Sequence, residues 1–365
     1  MKKLKIATFV TSHFTVPPPK GVIYAPMDIA VSLSVGLAKR GHQVDFFAPV
    51  GSHFPKLKDL RLVTLNKNPL IQNKLKILKD PSVNGGEEAK IHNLWDQYFL
   101  SEIYKKALAG LYDIVHIHPI DRALPWGRAL SDVRTVYTLH DPIYPWRAEI
   151  FRMFSSRNQH LISISDNQKK PAPDLNYAGT VYNGVDLKQF PFSEKPGQYL
   201  LFAGRIIKEK GVAEAIQVAK KTGERLLIVG SHSNDDYWNK KIKPNLGGLI
   251  RYIGAVSREN LHKYFQKAKA TLLPIRWEEP FGMVMVESMA CGTPVIAFNH
   301  GSVPEIIKNG TTGFIVKNAS EMTRAIKRVG AINRRMCRRH VEEKFSAEVM
   351  IRRYEEIFVK LLNSI

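Results

Sequence analysis

Short apolar runs rich in β-branched residues alternate with segments of helical period along nearly the whole chain. That alternation predicts parallel sheets covered on both faces. In the first half the runs fall at residues 4–10, 44–48, 114–117, 135–139 and 161–164, and in the second half they recur at 199–203, 226–229, 270–273, 295–298 and 314–316. Two such sets predict an α/β protein built of two Rossmann-like domains. The turn Asn183-Gly184-Val185-Asp186 leads into Phe190-Pro191-Phe192-Ser193-Glu194-Lys195-Pro196-Gly197, which reads as a linker and places one domain at 1–187 and the other at 188–345. Residues 346–365 form a last segment. Ser346 opens an amphipathic helix over about 347–362, with Val349, Ile351, Tyr354, Ile357, Phe358 and Leu361 on its apolar face, and this helix is expected to cross back onto the first domain. Residues 66–90 are polar and basic and read as an insertion.

One stretch carries candidate chemistry: Glu279-Pro280-Phe281-Gly282-Met283-Val284-Met285-Val286-Glu287. Proline fits only the first turn of a helix and drives the residue before it into an extended conformation, so Glu279 is expected just outside a helix and Glu287 within it. Eight residues at helical rise span roughly 12 Å, about the reach of a sugar, a diphosphate and a ribose. The helix start between the two carboxylates would offer unpaired N–H groups and partial positive charge to a diphosphate, with Gly282 letting the backbone come close. An isolated pair of glutamates at this spacing is equally at home on a solvated helix face.

Composition narrows the class. The chain has 365 residues, 44% apolar and 24% charged, which is ordinary for a globular protein of two domains. No run approaches the roughly 18 apolar residues of a membrane span. The start Met1-Lys2-Lys3-Leu4-Lys5-Ile6 has a basic opening but too short an apolar part for a signal peptide, and reads as a buried first strand. Two cysteines, Cys291 and Cys337, make no disulfide framework and fit a reduced, cytoplasmic setting.

Charge is the unusual quantity, at a net +21. It favours anionic partners such as a phosphorylated substrate, an anionic membrane surface or nucleic acid, or else a face kept soluble by charge. Basic residues gather at Lys74, Lys76 and Lys79, at Arg147, Arg152 and Arg157, and from Arg324 through Arg334, Arg335, Arg338 and Arg339 to Arg353. Interleaved Ile71, Lys74, Leu75, Lys76, Leu78 and Lys79 suit either an interfacial helix, which would place the protein peripherally at the inner face of a membrane, or a helix packed on its own domain. Nucleic acid is disfavoured because the basic residues show little aromatic interleaving.

Three further stretches, with the glutamate pair, resemble glycosyltransferase family 4, the retaining enzymes of GT-B fold. They are Phe202-Ala203-Gly204-Arg205-Ile206-Ile207-Lys208-Glu209-Lys210-Gly211, the turn Asn183-Gly184-Val185-Asp186, and Ala290-Cys291-Gly292-Thr293-Pro294-Val295-Ile296-Ala297 followed by Val303-Pro304-Glu305-Ile306-Ile307. Weaker matches at Arg40-Gly41-His42-Gln43-Val44 and Thr138-Leu139-His140-Asp141 extend the likeness along the whole chain, in order. The resemblance implies two parallel sheets facing across a cleft, and transfer of a hexose from a UDP- or GDP-sugar to a hydroxyl acceptor with retention, without cofactor or metal.

It also implies roles. Arg205 and Lys210, following Gly204, would hold the donor diphosphate, Glu287 the ribose hydroxyls and Glu279 the hydroxyls of the transferred sugar, with Phe281, Gly282, Met283 and Val284 lending backbone N–H groups. Val256, in Arg251-Tyr252-Ile253-Gly254-Ala255-Val256, would meet the base edge, and His140 the donor sugar. His116 and His118 share the strand-end placement but are expected to pack or hydrogen-bond locally. Retention by front-face displacement would make Glu279 a positioner rather than a nucleophile. One departure stands out: Pro17-Pro18-Pro19 leads to Tyr24-Ala25-Pro26, where family members often carry a Gly-Gly pair. A same-fold epimerase or phosphorylase, or a basic binding protein with a degenerate sugar site, are the competing expectations.

Overall fold

The computed structural model describes residues 3–19, 22, 24–69, 85–195 and 197–363. The basic stretch around Lys74, Lys76 and Lys79 lies outside them. Two compact units are formed: one from residues up to Ile164, Lys169–Val181 and from Met350 onward, the other from Ser165–Gln168 and Tyr182–Val349.

The first unit is a seven-stranded parallel sheet of β1 (Lys5–Phe9), β2 (Gln43–Phe47), β3 (Leu60–Val63), β4 (Ile114–Ile117), β5 (Thr135–Thr138), β6 (Gln159–Ser163) and β7 (Tyr177–Thr180), in the order β3-β2-β1-β4-β5-β6-β7. Five of these coincide with the apolar runs. The two that do not, β3 and β7, are the sheet edges, four residues each and mostly half-buried, so they lack the continuous apolar run that full burial imposes. Phe9, Phe47, Phe99, Tyr104, Ile117 and Tyr137 are buried in the core on one side of this sheet.

The last helix, Ala347–Asn363, covers the other part of the same unit from Met350 on. Its buried Tyr354 hydroxyl lies 2.9 Å from Thr138 Oγ1, and buried Glu355 accepts from Arg40 Nε at 2.7 Å and contacts His42 Nε2 at 2.8 Å. Ile351 packs on Gly36, where even a methyl group would come within 2.2 Å of its Cδ1. The Arg40-Gly41-His42 turn is therefore a socket for this helix.

The second unit is a six-stranded parallel sheet of β8 (Tyr199–Ala203), β9 (Leu226–Val229), β10 (Ile250–Gly254), β11 (Ala268–Leu273), β12 (Val295–Phe298) and β13 (Gly313–Val316), ordered β10-β9-β8-β11-β12-β13. Strand direction of connection reverses between β8 and β11, the switch point where ligands gather beyond the carboxyl ends of such sheets. The chain divides at Val181 and Tyr182, so the Asn183-Gly184-Val185-Asp186 turn belongs to this unit rather than closing the first. Long-range pairing explains it: Val185 N–H donates to Phe345 O at 2.9 Å and Ala347 N–H to Val185 O at 3.0 Å.

Much of the arginine run is spoken for. Arg334 is buried and donates to the carbonyls of Ser193, Gln266 and Ala268 and to Thr293 Oγ1, tying the linker to the sheet. Arg335 pairs with Glu194, Arg338 with Glu342 and Arg339 with Glu343, each at 2.7 Å. Part of what reads in sequence as a cationic face is thus a line of ion pairs, while the Arg334 charge is spent on carbonyls inside the unit.

Candidate functional site

The elements that carry the predicted residues of the second unit meet at the carboxyl ends of β8, β10 and β11. After β8 the chain turns at Gly204, at φ +146°, leaving Arg205 exposed and, among the described residues, without a side-chain ion pair. A short turn, Lys208–Lys210, ends on Gly211 at φ +73°. A Cβ at Gly211 would stand 1.9 Å from the carbonyl of Pro274, so glycine alone lets the helix Val212–Thr222 begin against the end of β11. This places Lys210 over the segment that follows β11.

There the Lys210 ammonium is ion-paired with Glu279 Oε2. The same oxygen accepts the Trp277 indole N–H at 2.9 Å, and Lys210 Nζ rides 4.9 Å from the centre of the Trp277 ring. Trp277 was not among the expected site residues. An aromatic donor two positions before a buried carboxylate is the only signal its sequence offers.

The helix that follows is shorter at its start than the proline suggested. It runs Met283–Ala290, with Gly282 at φ +79° before it, and Pro280 lies in the preceding turn instead of the first helical one. The left-handed glycine is the reason: it reverses the chain after Phe281, so regular helix cannot start until Met283. A Cβ at Gly282 would also meet Met285 Cε at 2.7 Å. Among the described residues the backbone N–H groups of Phe281, Gly282, Met283 and Val284 have no hydrogen-bond acceptor, and Met285 N–H is the first to find one, Gly282 O at 2.9 Å. Four open donors at a helix start make a cradle for an anion.

The cradle is clamped from behind by Gly301 and Ser302, which the sequence did not single out, and by the segment that follows them, which it marked only as a signature. Gly301 packs so closely that a Cβ there would lie 2.3 Å from both the N and the O of Glu279. Ser302 N–H donates to Glu279 O at 2.9 Å and its hydroxyl to Phe281 O at 2.7 Å. Glu305 accepts the N–H groups of Asp166 and Asn167, both at 2.7 Å, and the Tyr182 hydroxyl at 3.0 Å. One further turn along the helix, Glu287 is 5% exposed, with Arg258 Nη2 at 3.4 Å from its Oε1. Val256, half-buried, follows Gly254 at the end of β10.

His140 belongs to the first unit, just past β5. Its Nε2 lies 2.8 Å from His118 Nδ1 with the rings stacked at 16°, so one imidazole donates to the other. Burial, with help from the nearby Arg147 charge, pushes His140 down to about 3, and burial beside two other imidazoles lowers His118 as well. Both are neutral at physiological pH. His116 is fully buried with Nε2 2.8 Å from Thr138 Oγ1, a local packing role as expected. In the loop that departs from the Gly-Gly pattern, Val16 N–H donates to Ser52 Oγ at 2.9 Å and Val16 O accepts the His53 N–H at 2.7 Å, while Pro26 sits in the first turn of the helix Ala25–Lys39, where its missing donor would have had no helical partner.

No helix among the described residues is long and apolar enough to cross a membrane. Two family descriptions match: "Glycosyl transferases group 1" over residues 186–343 and "Glycosyltransferase Family 4" over residues 29–189. An uncharacterized 41.2 kDa protein in the cps region of Klebsiella pneumoniae is 28% identical over 297 residues, covering 70% of this chain and 81% of its own. Among solved structures, sucrose-phosphate synthase from Thermosynechococcus elongatus superposes with a TM-score of 0.77 at 18% identity over 99% of this chain and 100% of its own. The Anabaena protein HepE, solved with UDP and glucose, gives a TM-score of 0.70 at 16% identity over 98% and 100%. At such identities the structures speak to the fold alone.

Proposed function

As a member of glycosyltransferase family 4, this chain, we propose, moves a hexose from a nucleoside-diphosphate sugar to a hydroxyl acceptor with retention of configuration. The observation that carries this reading is the row of four unpartnered amides from Phe281 to Val284, bounded by Lys210 and Glu279 on one side and by Glu287 further along the helix. Such a row matches a pyrophosphate in charge and donor count, and carboxylates on either side match the hydroxyls of a sugar and of a ribose.

In the reaction proposed, the bond from the anomeric carbon to the β-phosphate oxygen breaks while the acceptor oxygen enters on the same face. The acceptor proton passes to the departing phosphate oxygen. Negative charge grows on the diphosphate as the bond lengthens, so Arg205, Lys210 and the four amides act more strongly on the transition state than on bound substrate. Glu279 positions sugar hydroxyls, Glu287 accepts from the ribose, Val256 presents its backbone to the base, and neutral His140 is assigned a hydrogen bond to the transferred sugar. The positive charge comes from side chains and amides, and no metal ion is required. UDP-sugars come first in the series to be tested, since HepE of the same fold was solved with UDP and glucose, and GDP-sugars stand beside them.

A thermal-shift series with UDP-, GDP- and ADP-sugars tests the reading. A ligand at a hundred times its Kd that binds only the folded protein adds about 2.7 kcal/mol of stability, and one of the three series should do so. No shift with any nucleotide sugar would end the proposal.

A further inference from the structure

Beyond β9 the chain builds a ring stack that none of the roles above uses. His232 lies flat on Trp238, centroids 3.6 Å apart and planes 6° off parallel, and Tyr252 meets both rings edge-on at 5.5 and 4.8 Å. Trp238 is 6% exposed whereas His232 is half-buried, so the indole backs the imidazole from the protein side. His232 Nδ1 is 3.0 Å from Ser233 O and therefore carries the proton, which locks the ring in plane. Asp235 Oδ1 accepts the backbone N–H of Trp238 at 2.9 Å and so fixes the start of the turn that carries the indole.

The place of the stack follows from the strand order. Neighbouring strands are about 4.8 Å apart, so the end of β9 lies one spacing from the Gly204-Arg205 loop on β8 and one from the Val256 loop on β10. Backbone bonds tie the β9 loop to both: Ile206 N–H to Ser231 O at 2.9 Å and Gly230 N–H to Gly254 O at 2.9 Å, while Tyr252 donates to Gly230 O at 2.9 Å. Gly230 is at φ +151°, and a Cβ there would stand 1.8 Å from Gly204 O, so this loop is drawn against the one that presents Arg205. A flat, rigid π-surface is thus fixed between the cation for the diphosphate and the backbone for the base edge.

We propose that the His232–Trp238 stack is the platform on which the donor's nucleobase lies. The inference rests on the nucleoside-diphosphate reading above and adds the contact that gives the base its affinity. Stacking on an aromatic ring is tolerant of base identity, so the platform would set strength of binding while the Val256 backbone sets which base is preferred.

Calorimetric titration of the full-length protein with UDP and with inorganic pyrophosphate, on wild type, His232→Ala and His232→Phe, separates the outcomes. The expected result is that His232→Ala weakens UDP by roughly five- to a hundred-fold, the worth of one stacked base, leaves pyrophosphate unchanged, and is rescued by His232→Phe. Equal UDP affinity in wild type and His232→Ala overturns the platform while leaving the functional reading intact. An equal loss of both ligands also overturns it, because the histidine would then only support the phosphate loop. Wild-type protein that binds pyrophosphate but neither UDP, GDP nor ADP overturns the nucleotide reading itself.

Discussion

Lys210 and Glu279, sixty-nine residues apart in the chain, are joined as an ion pair through the same carboxylate oxygen that takes the Trp277 indole N–H. The two residues proposed for different parts of the donor thus hold each other. In the proposed reaction, a diphosphate that takes up the ammonium would free the carboxylate for sugar hydroxyls, with the Trp277 N–H still bound to one of its oxygens.

Removing either cation should slow turnover far more than it weakens substrate binding. Arg205→Ala and Lys210→Ala are each expected to lower kcat about 10²- to 10³-fold, the usual cost of one preorganised donor to developing charge. Steady-state kinetics decides, and near-normal kcat in Arg205→Ala would remove that residue from the mechanism.

Trp277→Phe keeps the ring under Lys210 but deletes the hydrogen bond to Glu279. Loss of one bond to a charged group costs about 1.5–3 kcal/mol. We expect KM for the nucleotide sugar to rise while affinity for UDP alone stays near wild type. Equal weakening of both would assign Trp277 to the phosphate region instead.

Gly301→Ala forces a methyl group onto the Glu279 backbone at a residue with φ +59°. Neither clash has room to relax, because both close atoms belong to the main chain. Stability should fall by about 1–3 kcal/mol with activity lost alongside, as read by denaturant midpoint and product formation. An active, fully stable variant would mean that the clamp behind the cradle is dispensable.

Acid should loosen the first unit through several groups that act in the same direction, the buried histidines His116, His118 and His140 and the carboxyl of Glu355. His116 is buried and pushed down to about 3, so its neutral form is favoured in the fold. Unfolded imidazole takes a proton near 6.5, hence stability falls as pH drops below that value and continues to fall toward 3, by up to about 1.4 kcal/mol per unit. Glu355 adds to this: burial opposes its charge, but bonds from His42 and Arg40 outweigh it and hold the carboxyl below its usual range. Its contribution is complete above the ordinary carboxylate range and disappears as pH falls through the lowered value. Chemical denaturation from pH 7 to 4 should show a steep decline that His116→Phe reduces; an unchanged slope would remove His116 from the groups that cause it.

The chain by itself determined the two parallel-sheet units and most of the residues that gather at the candidate site. Full burial of central strands such as Leu226-Leu227-Ile228-Val229 demands continuous apolar runs, and these are visible without coordinates. Edge strands β3 and β7 are under no such demand and stayed hidden. Locally encoded turns were legible too, since the glycines at 204, 211 and 282 sit where only a left-handed or closely approached backbone fits.

Tertiary structure alone decided what depends on distant partners. Pro280 satisfies the rules for a helix start, yet Gly282 and the Gly301-Ser302 segment displace the helix to Met283. Trp277, Glu305 and His118 gained their roles from contacts with residues that no periodicity connects to them. In the arginine run the pairs Arg338–Glu342 and Arg339–Glu343 are one helical turn apart, whereas Arg335 meets Glu194 and Arg334 meets the Ser193 and Ala268 carbonyls only through the tertiary fold. Burial leaves a periodic trace in a sequence because it acts on every second or fourth residue, whereas a hydrogen bond or ion pair between remote segments fixes single side chains and leaves none.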